Sequence, residues 1–287
     1  MVFTSVYCVV DGFFVSNFAG KTAFAAINLI MPFIMILGGI GFMIGTGGSA
    51  LVSYTLGTGD KEKANRYFSM MVYFTILAGL LLTVLGIIFV RPMAELFGAD
   101  ESMMDTCVLY GRIVIAFNAA FMLQNIFQSF FVVAEKPRLG LIVTIAAGVT
   151  NMVLDALFVG VFKWGIVGAA LATGISQSIG GLLPLLYFAL PNNSPLQLTR
   201  TGFELAPLLK ASSNGCSELM SNVASSLIGI VYNYQLMRLG GENAVATYGV
   251  LMYIQFVFIA IFIGYSVGSA PIIGYHYGAG NFKELQN

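Results

Sequence analysis

Charged residues are scarce in this sequence. They make up 9% of its 287 positions, 13 basic and 13 acidic, for a formal net charge of zero. Soluble domains carry about 25%. A soluble protein of this length would lack the polar groups to cover its surface, which excludes an ordinary soluble enzyme and a disordered chain. With no surplus of cations, a nucleic-acid binder is excluded too. The single His276 cannot build a histidine metal site alone, and Cys8, Cys107 and Cys216 are far apart with no CxxC pair. Neither a zinc site nor a disulfide framework is expected. Walker A, HExxH and GxSxG motifs are all missing. No ATP-driven engine, no enzyme activity and no organic cofactor are therefore expected. The opening residues lack the basic start of a cleavable signal peptide. Alternating ten-residue strands are missing as well, which disfavours an outer-membrane barrel.

What is present is apolar. Hydrophobic residues are 58% of the chain, and the mean hydropathy is +0.87. A membrane-spanning helix needs about 20 mostly apolar residues. Eight runs qualify, at 1–18, 24–54, 67–90, 105–134, 138–162, 165–190, 207–237 and 244–276. The expected fold class is an all-α membrane protein, a polytopic helical bundle. Pro32, Pro184 and Pro271 fall inside spans, where neighbouring helices can satisfy the freed carbonyls. Lys and Arg mark the cytoplasmic side. Lys61, Lys63, Arg66, Lys136, Arg138, Arg200, Lys210 and Lys283 fall in one set of alternate loops; only Lys21, Arg91, Lys163 and Arg238 fall in the other. The chain start and the 55–66, 135–138 and 191–206 loops are thus expected in the cytoplasm. The acids Glu95, Asp100, Glu101 and Asp105 are expected outside.

The chain repeats itself. A shift of 221 residues aligns Gly20 with Gly241, Met31 with Met252, Gly47 with Gly268, Tyr54 with Tyr275 and Gly57 with Gly278, without a gap. The endings YTLGTGD and YHYGAGN are alike. The shift relates the second span to the eighth, and an even number of crossings separates them. A parallel repeat about an axis along the membrane normal follows. Gly41-x-x-x-Gly45 and Gly264-x-x-x-Gly268 are expected to allow close helix approach.

Ionisable groups within spans are costly and need an explanation. Asp11, Asp155 and Glu218 stand in the apolar runs YCVVDGFFVS and TNMVLDALFVG and in the more polar NGCSELMSN. Asn151 lies four residues before Asp155, on the same helix face. An amide and a carboxylate stacked this way can coordinate a cation or share a proton; the plainer reading is a satisfied polar group in a bundle. The fourth span carries Tyr110, Asn118, Gln124, Asn125 and Gln128. Gln124 and Gln128 share a face, which suits either a cavity wall or interhelical hydrogen bonding. Arg112 is the one basic residue placed within a span.

VDGFFVSNFAG, NLIMPF and GTGGSALVSYTLGTGDKEKAN resemble the first two spans of the multidrug and toxic compound extrusion transporters. SSNGCSELMSN and GYSVGSAPIIGYHYGAGN resemble the opening of that family's second repeat. The resemblance implies twelve spans in two six-span lobes around a V-shaped cleft. It implies secondary active efflux of cationic or amphipathic drugs and toxic compounds in exchange for sodium or protons, by a monomer in a bacterial inner (plasma) membrane. Asp11, Asn151, Asp155, Ala169 and Thr173 match the family's first-lobe cation site; no other metal is implied. Tyr110 and Gln128 match its cavity wall, with Gln124 beside them, and Glu218 resembles a second-lobe acid. The expected layout is a first lobe at 1–190, a cytoplasmic linker at 191–206 and the start of a second lobe at 207–287, so that the chain reads as truncated at both ends. Two alternatives stand beside this. A flippase for lipid-linked oligosaccharides or polysaccharides, of the same superfamily, should carry several basic residues for a pyrophosphate, where this chain offers Arg112. The other is a membrane fragment that transports nothing.

Overall fold

The computed structural model describes residues 9–99 and 101–284, with a few side chains excepted, most of them within 230–257. Residues 1–8 of the first expected span, with Cys8, and Asp100 lie outside the described residues, as does the side chain of Arg238. Every regular element among the described residues is helical: α1 (Val9–Ala19), α2 (Lys21–Gly57), α3 (Lys61–Leu96), α4 (Glu101–Ala116), α5 (Asn118–Val133), α6 (Pro137–Asp155), α7 (Gly165–Ala189) and α8 (Leu205–Gly278). Local chemistry sets the breaks. Gly20, Gly59 and Gly98 take positive φ between helices, a conformation that costs glycine little. Asp60 caps α3, its side chain accepting from the Lys63 N–H at 3.0 Å. Pro137 opens α6, where its missing N–H costs nothing.

The helices α2, α3, α6, α7 and the Phe258–Gly278 end of α8 are long and apolar enough to cross a membrane. The expected fourth span, 105–134, is broken: it consists of two helices, α4 and α5, which are apolar enough to cross only when taken together and are bent by 54°. At the bend the Phe117 ring lies over Gly174 of α7, where any β-carbon would strike it. The Phe117 N–H bonds back three residues, to the Val114 carbonyl, so the chain tightens there before restarting.

The expected interruption between the seventh and eighth spans takes an unexpected form. Helical structure is unbroken from Leu205 to Gly278, yet the path reverses. The backbone of Gly47 on α2 lies against Ala211, and that of Gly57 against Tyr275. A straight helix would separate Ala211 from Tyr275 by about 96 Å, against about 15 Å between their partners on α2. Tyr232 and Tyr248 stack with ring centres 5.5 Å apart, so the chain turns back between them. The first arm runs antiparallel to α2, with Leu219 at Gly39 and Ala211 at Gly47. The second runs parallel to it, with Gly274 at Ser53 and Ala279 at Gly57.

This second arm displays the repeat. Gly57 packs on the Tyr275 carbonyl, and Gly278 packs on the Tyr54 carbonyl. The shift of 221 residues exchanges these two contacts, as a twofold axis must. Gly274 lies on Ser53, its own counterpart under the shift, so the axis passes between them. Among the glycine motifs, Gly41 and Gly45 do meet the α5 backbone, at Met122 and Ile126; Gly268 has nothing within 4 Å. No close approach at Gly268 is made among the described residues.

Two apolar clusters fill the interior. One lies at the end where α2 turns into α3 and α5 into α6, around Phe68, Met71, Phe127, Phe130 and Phe188. The other gathers Val15, Ile30, Val90, Tyr110, Val114, Val159 and Ala170. The second cluster closes around the polar site.

A buried carboxylate pair as candidate cation site

Two helices bring acids together. Asp11 stands on α1 and Asp155 ends α6. The side chains of Asp11 and Asp155 interact directly. Asp155 is 0% exposed and Asn151, one turn earlier, 1%. A π-helical turn follows each acid: Val15–Ala19 ends α1, and Ala156–Val161 begins straight after Asp155. The two turns pack on each other and on α7. Wider turns of this kind recur at functional sites. Val15 and Val159, one from each turn, bury into the same cluster as Tyr110 and Ala169. They hold the acids under an apolar cover.

The facing helix supplies Ala169 and Thr173. The Ser176 hydroxyl donates to the Ala147 carbonyl at 2.9 Å, and Gly168 packs on Phe158. Since α6 and α7 run antiparallel, this register sets Ala169 level with Asp155 and Thr173 level with Asn151. Ala169 is buried and Thr173 half-buried.

Beyond the contact between the two carboxyl groups, both Asp155 carboxyl oxygens, Asp11 Oδ1 and Asn151 Oδ1 are buried with no hydrogen-bond partner among the described residues. No basic side chain answers the acids: the ion pair found among the described residues is Arg91–Glu95, on an exposed helix face. Buried polar groups are normally paired. Two facing carboxyl groups with a buried amide oxygen one turn away suit a small hard cation or a proton.

Of the expected cavity residues, Tyr110 shares the site's apolar cluster, and the others lie apart from it. Tyr110 is 1% exposed, packed in the cluster beside Ala169. Gln124 and Gln128 line a cavity of about 10 Å³ with Phe127, Phe131, Thr144 and Gly180, near the lower limit for one water. Their Oε1 atoms have no partner among the described residues. Glu218 is half-buried on the first arm of α8, where its backbone carbonyl accepts from Asn222. The structure thus brings Asp11 and Asp155 together, with Asn151 one turn earlier on the same helix, Ala169 and Thr173 level with them on α7, and Tyr110 in the apolar cluster around them; Gln124, Gln128 and Glu218 stand in other surroundings. Sequence reasoning missed both π turns. It also missed Gln177, a buried amide on α7 whose Oε1 has no partner among the described residues. The sequence signals are weak: a glycine in ALFVGV, and one more glutamine in an apolar run.

Comparison with known proteins bears on the family and the fold. The MatE family model matches residues 1–157 and 219–287. The chain is 25% identical over 274 residues to the multidrug export protein MepA of Staphylococcus haemolyticus strain JCSC1435, covering 95% of this chain and 60% of that protein. It is 26% identical over 288 residues to MepA of Staphylococcus aureus strain N315, covering 98% and 62%. The chain therefore spans less than two thirds of the length of these relatives. An outward-facing multidrug resistance MATE family transporter of the MOP superfamily superposes with a TM-score of 0.90 at 21% identity, over 99% of this chain and 63% of that one. With the family model matched over most of its length and the bundle reproduced, this chain is a multi-pass membrane protein that belongs to the MatE family.

Proposed function

We propose that this chain performs secondary active multidrug efflux, exchanging cationic or amphipathic compounds for sodium or protons across a bacterial plasma membrane. The observation that carries the reading is the facing pair Asp11 and Asp155, which with Asn151 holds four buried oxygens that no basic or other donor group among the described residues satisfies. Two ionised carboxylates facing each other in a low-dielectric bundle repel strongly. A sodium ion held between them, or a proton shared by them, removes that repulsion and draws α1 toward α6. Loss of the ion frees α1 to move away. The ion therefore prefers one arrangement of the helices, and the drug need only prefer the other for exchange to follow. Ala169 would offer its carbonyl and Thr173 its hydroxyl as further oxygen ligands. The names of the MepA relatives support drugs as the exported class. The larger set of loop cations supports a cytoplasmic placement of the α2–α3, α5–α6 and α7–α8 connections.

The test is ethidium extrusion from vesicles containing the chain, driven separately by a sodium gradient and by a proton gradient. One gradient should drive extrusion in the wild type, and Asp155→Asn should abolish it. Extrusion that Asp155→Asn leaves unchanged would refute the coupling role. Failure of both gradients in the wild type would refute transport by this chain.

A further inference from the structure

A recess of about 800 Å³ opens where α5 turns into α6 and α7 ends. It is separate from the carboxylate site, which lies at the far end of α6. Lys136 and Arg138 line it, together with Tyr187 and Asn193, and Ile142 and Leu190 form its apolar wall. Three features define what fits there.

The first is charge. Neither Lys136 nor Arg138 has an ion-pair partner among the described residues. Glu135 also lines the recess and leaves it one positive charge in excess. Both cations sit at the start of the 19-residue α6, whose N-terminal dipole adds to the positive potential. The second is position. Pro137 and Ala189 are ends of helices long and apolar enough to cross a membrane, which places the recess at the membrane–water boundary. The third is the continuation of its apolar wall. Ile142 is 61% exposed and Leu190 62%. Leu141, Ile145 and Leu186 extend these two into exposed stripes along α6 and α7, toward the bilayer centre. A cationic recess that runs into a lipid-facing apolar groove matches one kind of molecule, with an anionic head and a greasy tail.

We propose that this recess binds an anionic membrane phospholipid, its phosphate held by Lys136 and Arg138 and an acyl chain lying along Ile142 and Leu190. Basic pockets between helix ends bind such headgroups through the same combination of charge and interfacial depth. The wall is firm where the headgroup would sit. The Asn192 amide donates to the Tyr187 and Leu190 carbonyls, and its Oδ1 accepts from the Ser194 N–H at 2.9 Å. The bound lipid would fasten the end of α7 to the start of α6, and so steady the helix pair that carries Asn151, Asp155, Ala169 and Thr173.

The experiment is native mass spectrometry of the chain released from nanodiscs of equal parts phosphatidylglycerol and phosphatidylcholine. The wild type should retain phosphatidylglycerol in preference by about an order of magnitude or more. That preference should fall about fivefold per cation removed in Lys136→Ala and Arg138→Ala, the factor that about 1 kcal/mol per basic residue represents. Lys61→Ala with Lys63→Ala, two exposed cations on α3, should keep it. Thermal unfolding in pure phosphatidylcholine should match between wild type and the Lys136→Ala, Arg138→Ala pair, which shows that the variant is folded. Equal retention of both lipids by the wild type, or unchanged retention by the pair, overturns the proposal. Displacement of the lipid by millimolar inorganic phosphate also overturns it, because it would make the recess a site for free phosphate.

Discussion

The carboxyl group of Asp11 on α1 faces that of Asp155 at the end of α6, and among the described residues no basic side chain pairs with either. The pair is a source of repulsion that a cation or proton can cancel, so its ligand should stabilise the fold. Sodium or mild acid should raise the unfolding temperature of the wild type; a ligand at a hundred times its Kd contributes about 2.7 kcal/mol. In Asp155→Asn one of the two charges is gone. The variant should start more stable than wild type in sodium-free buffer and gain nothing from sodium. Thermal unfolding in detergent at several sodium concentrations checks both halves.

The repeat axis makes a geometric demand. A β-carbon at Gly274 would stand 3.6 Å from that of Ser53, inside the span a disulfide bridges, about 3.5–4.5 Å. With Cys8, Cys107 and Cys216 replaced, Ser53→Cys with Gly274→Cys should form a bridge on mild oxidation. Peptide mass spectrometry would find the linked fragments. No linkage would mean that α2 and the second arm of α8 do not meet in parallel.

Glycines that look alike in sequence should differ in cost. A β-carbon at Gly41 would come within 2.8 Å of Met122 Cα, whereas Gly268 has nothing within 4 Å. Gly41→Ala should destabilise by about 1–3 kcal/mol, as overpacking does, and Gly268→Ala should be nearly neutral. Thermal unfolding of the two variants decides it.

Orientation can be read from two exposed loop positions. Asn193 follows α7 and Lys163 precedes it. With native cysteines replaced, a membrane-impermeant thiol reagent applied to intact cells should label Lys163→Cys and spare Asn193→Cys. The reverse pattern would invert the cytoplasmic assignment.

Much of this architecture was legible in the sequence because the bilayer is a strict solvent. Apolar runs mark crossings whatever the tertiary packing, and an acid inside such a run has few innocent explanations. Asp11, Asn151 and Asp155 were found that way, and the structure sets them together. The repeat was legible because Tyr54, Gly57, Tyr275 and Gly278 share a job: their backbones meet across one axis, and glycine is needed at the contact. The bend at Phe117 was not legible. No proline or glycine marks it, and it depends on Gly174, which is distant in sequence. The π turns after Asp11 and Asp155 escaped for a similar reason, since they depend on contacts between α1, α6 and α7 rather than on local propensity. The burial of Tyr110 and Gln124 shows the same limit. Helical spacing places residues on a common face, but it does not say whether that face meets a cavity or another helix.

The chain holds its own reporter for the central claim. Trp164 is its single tryptophan, and it stacks on Phe158 with ring centres 4.9 Å apart, within the π turn that begins after Asp155. An ion that draws α1 toward α6 should shift that turn and alter the Trp164 fluorescence. The decisive measurement is a fluorescence titration of the purified chain with sodium and, separately, with acid. One of the two should produce a saturable change in the wild type and none in Asp155→Asn. A wild type silent to both, or an Asp155→Asn variant that responds as the wild type does, would contradict cation binding at the Asp11–Asp155 pair.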